Sequence, residues 1–129
     1  MDFIDKILRA HGAMVGRMLI GLLFVFSGIG IVLNGVDGFV AMIETRGLPM
    51  ASLLAWVVVL IKIVAGGALM LGYKTKEATL ALLVFTILAT VLYHMNLDDI
   101  NLFKNLAIVG GLLYVYIYGP GPGWKLKTS

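Results

Sequence analysis

Cysteine is absent from the 129 residues. That removes disulfides, thiolate metal sites and any thiol redox cycle carried by the chain itself. Charge is scarce as well. Only 13% of residues are charged and 60% are apolar, against roughly 25% and 45–50% in a soluble domain. Glycine-rich phosphate loops, Gly-x-Ser-x-Gly and His-Glu-x-x-His are missing too. One domain of this length cannot hide so much apolar surface in its own core. A soluble globular enzyme is therefore excluded, and so is a disordered chain. The solvent that fits is lipid.

What the chain does have is long apolar runs. Residues 18–36, 78–97 and 105–124 carry no charge, and 47–73 carries only Lys62. About 20 apolar residues cross a hydrocarbon core of about 30 Å as a helix. Runs this continuous suit helices rather than alternating barrel strands. They predict spans near 17–36, 48–73, 78–97 and 104–119 of one membrane domain over 1–129. The stretches 37–46, 74–77 and 98–104 are short connections, which force neighbouring helices antiparallel. The expected fold is an all-α membrane protein, an antiparallel four-transmembrane-helix bundle. Gly47-Leu48-Pro49 is expected to open the second helix, and Gly119-Pro120-Gly121-Pro122-Gly123 to stop the last.

A cleavable signal peptide is the rival for the first span. Its run is too long, and no small-residue cleavage site follows it. Ahead of it, Phe3, Ile4, Ile7 and Leu8 recur at helical spacing among Asp5, Lys6 and Arg9. That is the pattern of a short amphipathic N-terminal helix at the interface, continuous with the first span. Small residues four apart, Gly12 and Gly16, Ala68 and Gly72, Ala107 and Gly111, mark places where helices can approach closely.

The basic residues set the orientation. Lys6, Arg9, Arg17, Lys74, Lys76, Lys125 and Lys127 fall on one side, and Arg46 and Lys104 on the other. By the positive-inside rule both termini face the cytoplasm. The net charge of +3 is membrane topology and not a nucleic-acid patch, because the charges lie between the apolar runs.

Gly16-Arg17-Met18-Leu19-Ile20-Gly21, leading to Ser27-Gly28, resembles the first helix of the DoxX family of small bacterial membrane proteins. Gly47-Leu48-Pro49, Gly66-Gly67, Gly72 with its short basic turn, and His94 continue the likeness. Lys104-Asn105-Leu106-Ala107 with Gly110-Gly111-Leu112-Leu113 is its most specific piece, and Gly119-Pro120-Gly121 closes it. The resemblance runs in order over residues 12–124. It implies a multi-pass protein of the bacterial inner membrane. Some relatives are linked to thiosulfate:quinone oxidoreduction and others to a complex that handles oxidative and thiol stress. The resemblance thus implies a subunit of a redox complex, with quinone as the candidate cofactor, and not an enzyme on its own. One departure stands out. The family commonly has a glutamate in span two, about ten residues before the glycine ending the helix, and this chain has Lys62 there.

Lys62 is the sharpest feature. It lies near the bilayer centre, where an ionised lysine costs at least about 2.5–3.5 kcal/mol. No acidic residue of the chain shares its depth. It could be held neutral, line a hydrated gap in the bundle, bind an acidic ligand or a quinone carbonyl, or pair with another subunit. A second candidate group sits where the helices end on the outer side: Asn34, His94, Lys104 and Asn105. There His94 and Lys104 would donate to the carbonyl oxygens of a quinone head group, unless His94 is simply an interfacial residue and Asn105 a helix cap. Arg17, on the cytoplasmic side, suits a lipid phosphate. His94, Met95, Asp98 and Asp99 offer too few converging ligands for a metal site. The other histidine, His11, belongs to the opposite side, so no paired histidines hold a haem.

Three readings follow. The chain is a membrane subunit of a quinone-linked or oxidative-stress redox complex, a non-catalytic scaffold for other membrane subunits or copies of itself, or a small transporter. The last is the weakest, since transporters show intramembrane carboxylates or broken helices.

The charge asymmetry predicts that a fluorescent protein fused after Ser129 glows in bacterial cells, while alkaline phosphatase fused there stays inactive. An active phosphatase fusion would reverse the orientation.

Overall fold

In the computed structural model, which describes residues 2–93, 98, 100–122 and 125, every regular element is helical. Helix α1 spans Asp2–Asn34 without a break. Its 33 residues extend about 50 Å at 1.5 Å per residue, well beyond the thickness of a hydrocarbon core. The amphipathic start is therefore continuous with the first span, and its apolar side is open, with Phe3 76% exposed.

Gly35, at φ +95°, ends α1 in a conformation that costs a side-chain-bearing residue dearly. The chain then forms α2, Val36–Thr45. The sequence marked this stretch only as a connection. It is a helix because Val36, Phe39, Val40 and Ile43 recur at helical spacing and pack with Leu48, Ala51, Leu54 and Ala55 into a small core of their own.

Helix α3, Ala51–Leu71, starts beyond Pro49 rather than at Gly47. Ile61–Ala65 within it form a π-helical turn. It ends at Gly72, φ +69°. There Tyr73 N–H donates to the Ala68 carbonyl and Gly72 N–H to that of Leu69, the left-handed glycine stop that satisfies the last carbonyls of a helix. Helix α4, Thr75–Tyr93, follows at once. Helix α5, Ile100–Tyr118, completes four antiparallel spans. Each of the four is long and apolar enough to cross a membrane.

Helices α1 and α3 approach each other closely. A Cβ on Gly21 would lie 2.5 Å from the Gly66 carbonyl oxygen, and one on Gly66 would lie 3.0 Å from the carbonyl oxygen of Gly21. The two backbones touch. Farther along α1, a Cβ on Gly28 would meet Ile63 Cγ1 at 2.8 Å and Lys62 Cβ at 3.1 Å. Around this seam Phe24, Ala65, Leu69, Ala78, Leu82 and Leu112 form the main core, which brings in α4 and α5. The small-residue pairs read from the sequence fare unequally. A Cβ on Gly111 would meet Ile20 Cδ1 at 3.1 Å, whereas Gly16, Gly67 and Gly110 have open space beside them.

This contrast sets a stability experiment. Gly21→Ala should cost about 1–3 kcal/mol through overpacking, while Gly67→Ala should stay within about 0.5 kcal/mol of the parent. Unfolding in mixed detergent micelles measures both, and equal effects would deny the seam its role.

Candidate functional site

Lys62 stands near the middle of α3, about 17 Å from Ala51 and about 14 Å from Leu71 at 1.5 Å per residue. It lies within the π-helical turn, a distortion often found at functional sites. Its Nζ donates a 2.8 Å hydrogen bond to Ser27 Oγ on α1 and lies 5.5 Å from the ring centroid of Phe85 on α4. A hydrogen bond to a charged group contributes about 1.5–3 kcal/mol, and a desolvated cation over an aromatic face about 2 kcal/mol. Both offset part of the cost of an ionised lysine at the centre of a span, at least about 2.5–3.5 kcal/mol.

Two cavities meet at Lys62, Phe85 and Ala89. The larger, about 630 Å³, lies between α2, α3 and α4. Its walls are largely apolar, with Phe39, Ile43, Val58 and Leu88 among them, and Thr45 and Arg46 add polar groups at the far end, away from the chain termini. The smaller, about 170 Å³, is lined by Ser27, Lys62, Thr86, Lys104 and Asn105 along with apolar groups of α1 and α5. Thr86 Oγ1 donates to the Leu82 carbonyl at 2.7 Å, and Thr90 Oγ1 to the Thr86 carbonyl at 2.7 Å. Asn105 Nδ2 donates to Thr90 Oγ1 at 3.0 Å. That bond ties the second turn of α5 to α4 and fixes Asn105 at the cavity wall.

The structure thus brings together three of the residues singled out from sequence: Lys62, Lys104 and Asn105. Asn34 ends α1 exposed and lines neither cavity. His94 falls outside the described residues. Arg17 lies at the opposite end of the bundle and is 1% exposed. Its Nη1 donates to the Pro120 carbonyl at 3.0 Å, and a Cβ on Gly72 would stand 3.0 Å from its Cζ. The guanidinium is therefore packed between the C-terminal end of α3, where helix carbonyls favour a cation, and the turn that follows α5. One partner of Arg17 is thus a backbone carbonyl.

Several residues of the site were not singled out for it. Ser27 is the only polar side chain between Arg17 and Asn34, which is a usable signal. Phe85 carries none, because an aromatic residue in an apolar helix is indistinguishable from core. The buried threonines Thr79, Thr86 and Thr90 recur at intervals of seven and four, one face of a helix, and that face turns inward.

The DoxX family model matches residues 12–95. Inner membrane protein YqjF of Escherichia coli (strain K12) is 32% identical over 120 residues, covering 90% of each chain. Inner membrane protein YphA of the same organism is 28% identical over 117 residues, covering 84% of this chain and 83% of that one. No solved structure matches the chain.

The clasp at the terminal end has a direct check. Arg17→Ala leaves the Pro120 carbonyl without this donor, at a cost of about 1–3 kcal/mol for the lost buried bond. Limited proteolysis should then cut after Lys125 or Lys127 faster than in the parent, with the spans intact. An unchanged cleavage rate would mean that Arg17 does not hold the tail.

Proposed function

The chain belongs to the DoxX family, and from that membership we propose that it is a membrane subunit of a redox complex that binds the head group of a lipophilic quinone beside Lys62. As a multi-pass inner-membrane protein it shares its solvent with isoprenoid quinones. The observation that carries the reading is the position of Lys62 on the wall of a largely apolar cavity of about 630 Å³, a size usual for small-molecule sites. A quinone ring is flat and apolar apart from two carbonyl acceptors. Lys62 supplies a donor for one carbonyl, and Phe85 supplies an aromatic surface beside it. The apolar residues of α2, α3 and α4 then contact the ring and the start of the tail. In this reading the electrons come from partner subunits, and the chain supplies the pocket that holds the acceptor in the membrane. Both termini face the cytoplasm.

A scaffold role draws on one separate observation. Ala107 is exposed and Gly110 has open space beside it on α5, which leaves room for another transmembrane helix to pack closely.

The quinone reading predicts that gently purified protein carries quinone detectable by mass spectrometry. Lys62→Met should lower the affinity about 10–100-fold, the equivalent of one charge-assisted hydrogen bond. Leu88→Trp, which fills the cavity, should do the same while Lys62 remains. Parent-level quinone in both variants would overturn the assignment, and loss of partner proteins from Gly110→Leu with quinone unchanged would favour the scaffold.

A further inference from the structure

The smaller cavity has an uneven supply of hydrogen-bonding groups. Two lysine side chains, Lys62 and Lys104, line it from α3 and α5. Lys62 uses one of its three N–H donors on Ser27. Ser27 accepts that bond, so its own O–H is left to donate elsewhere. Asn105 uses one N–H on Thr90 and keeps a second. Thr86 has spent its hydroxyl on a backbone carbonyl. No carboxylate is among the described residues of the lining. The cavity thus gathers two positive charges and several donors with no anionic acceptor to meet them. In a low-dielectric setting two like charges near one space are costly unless an opposite charge lies between them.

We propose that this inner cavity is an anion site that takes one small oxyanion, held between Lys62 and Lys104 and hydrogen-bonded by Ser27 and Asn105. Its volume of about 170 Å³ equals about five or six waters at about 30 Å³ each, room for a group the size of sulfate, phosphate or formate and not for a large organic anion. Lys104 is exposed and lies in the second turn of α5, so the site is reached from the end of the bundle opposite the chain termini. The oxyanion is either free in solution or the phosphate of a phospholipid head group, and the two share this chemistry. The site uses Lys62 from the face opposite the quinone cavity. It does not require that a quinone binds there.

The test uses the full chain in phosphatidylcholine nanodiscs, titrated calorimetrically with sodium sulfate and sodium formate at constant ionic strength set by sodium gluconate. Saturable binding is expected, weakened at least tenfold by Lys104→Met and by Lys62→Met. Lys104→Met replaces an exposed side chain, so its folding is not in question. Leu88→Trp, which closes the larger cavity, should leave anion binding unchanged, so that failure of the quinone reading and failure of this one are read separately. If the ligand is a head group, exchange into phosphatidylglycerol nanodiscs should suppress sulfate binding in the parent, and co-purified phosphatidylglycerol should fall in Lys104→Met. The proposal is overturned if neither anion binds saturably and phosphatidylglycerol retention is the same in parent and variant, or if Lys104→Met binds sulfate as the parent does.

Discussion

The seam where Gly21 of α1 meets Gly66 of α3 governs the rest of the bundle. Lipid tails are as apolar as leucine, so transmembrane helices are not driven together by the hydrophobic effect. Van der Waals packing and interhelical hydrogen bonds must do it. Two glycines facing one another let the backbones touch, which gives dispersion contacts that bulkier residues would prevent. The same approach sets the distance between α1 and α3 farther along, where Gly28 admits the Cβ of Lys62. Only at that separation can Lys62 reach Ser27. The polar contact at mid-membrane is a consequence of the apolar one below it.

Lys62 in turn shapes the space around it. Its side chain runs between Ser27 and Phe85 and so stands in the wall shared by two cavities of different character. One is largely apolar and bounded by α2, a helix that packs on the start of α3 and not deep into the main core. The other is rich in donors and bounded by α5. A hydrophobic residue at position 62 would remove the insertion cost and fill the gap.

The spans, the unbroken first helix and the conspicuous lysine were legible in the sequence because each is a one-dimensional property: a count of uncharged residues, a periodicity, a single charge in an apolar run. Helix α2 was not, because dividing the chain at its charges assigned Asp37 to Arg46 to a connection. Its apolar spacing at Val36, Phe39, Val40 and Ile43 was nonetheless present. The glycine seam was missed for a different reason. A spacing of four within one helix says that a face is small, but not which helix it meets, and Gly21 and Gly66 belong to different helices. Ser27 and Phe85 became part of the site only through that meeting, so no local pattern could mark them as partners of Lys62. Asn105 was visible as a polar group at the start of a span, yet its bond to Thr90 depends on how α4 and α5 pack.

The chain handles Arg17, which is buried, and Lys62, which is partly buried, in different ways. At the end that carries the termini, Arg17 is almost fully buried: the Pro120 carbonyl takes one of its donors, and the C-terminal end of α3 lies against it. A guanidinium is always charged, so its bond to the Pro120 carbonyl does not depend on protonation. Lys62, by contrast, has one hydroxyl and an aromatic face, and a second ammonium lines the same cavity. Its donors outnumber the acceptors the protein supplies. The Arg17 clasp thus joins chain segments at one end of the bundle, while toward the other the donors of Lys62 and Asn105 exceed the acceptors around them.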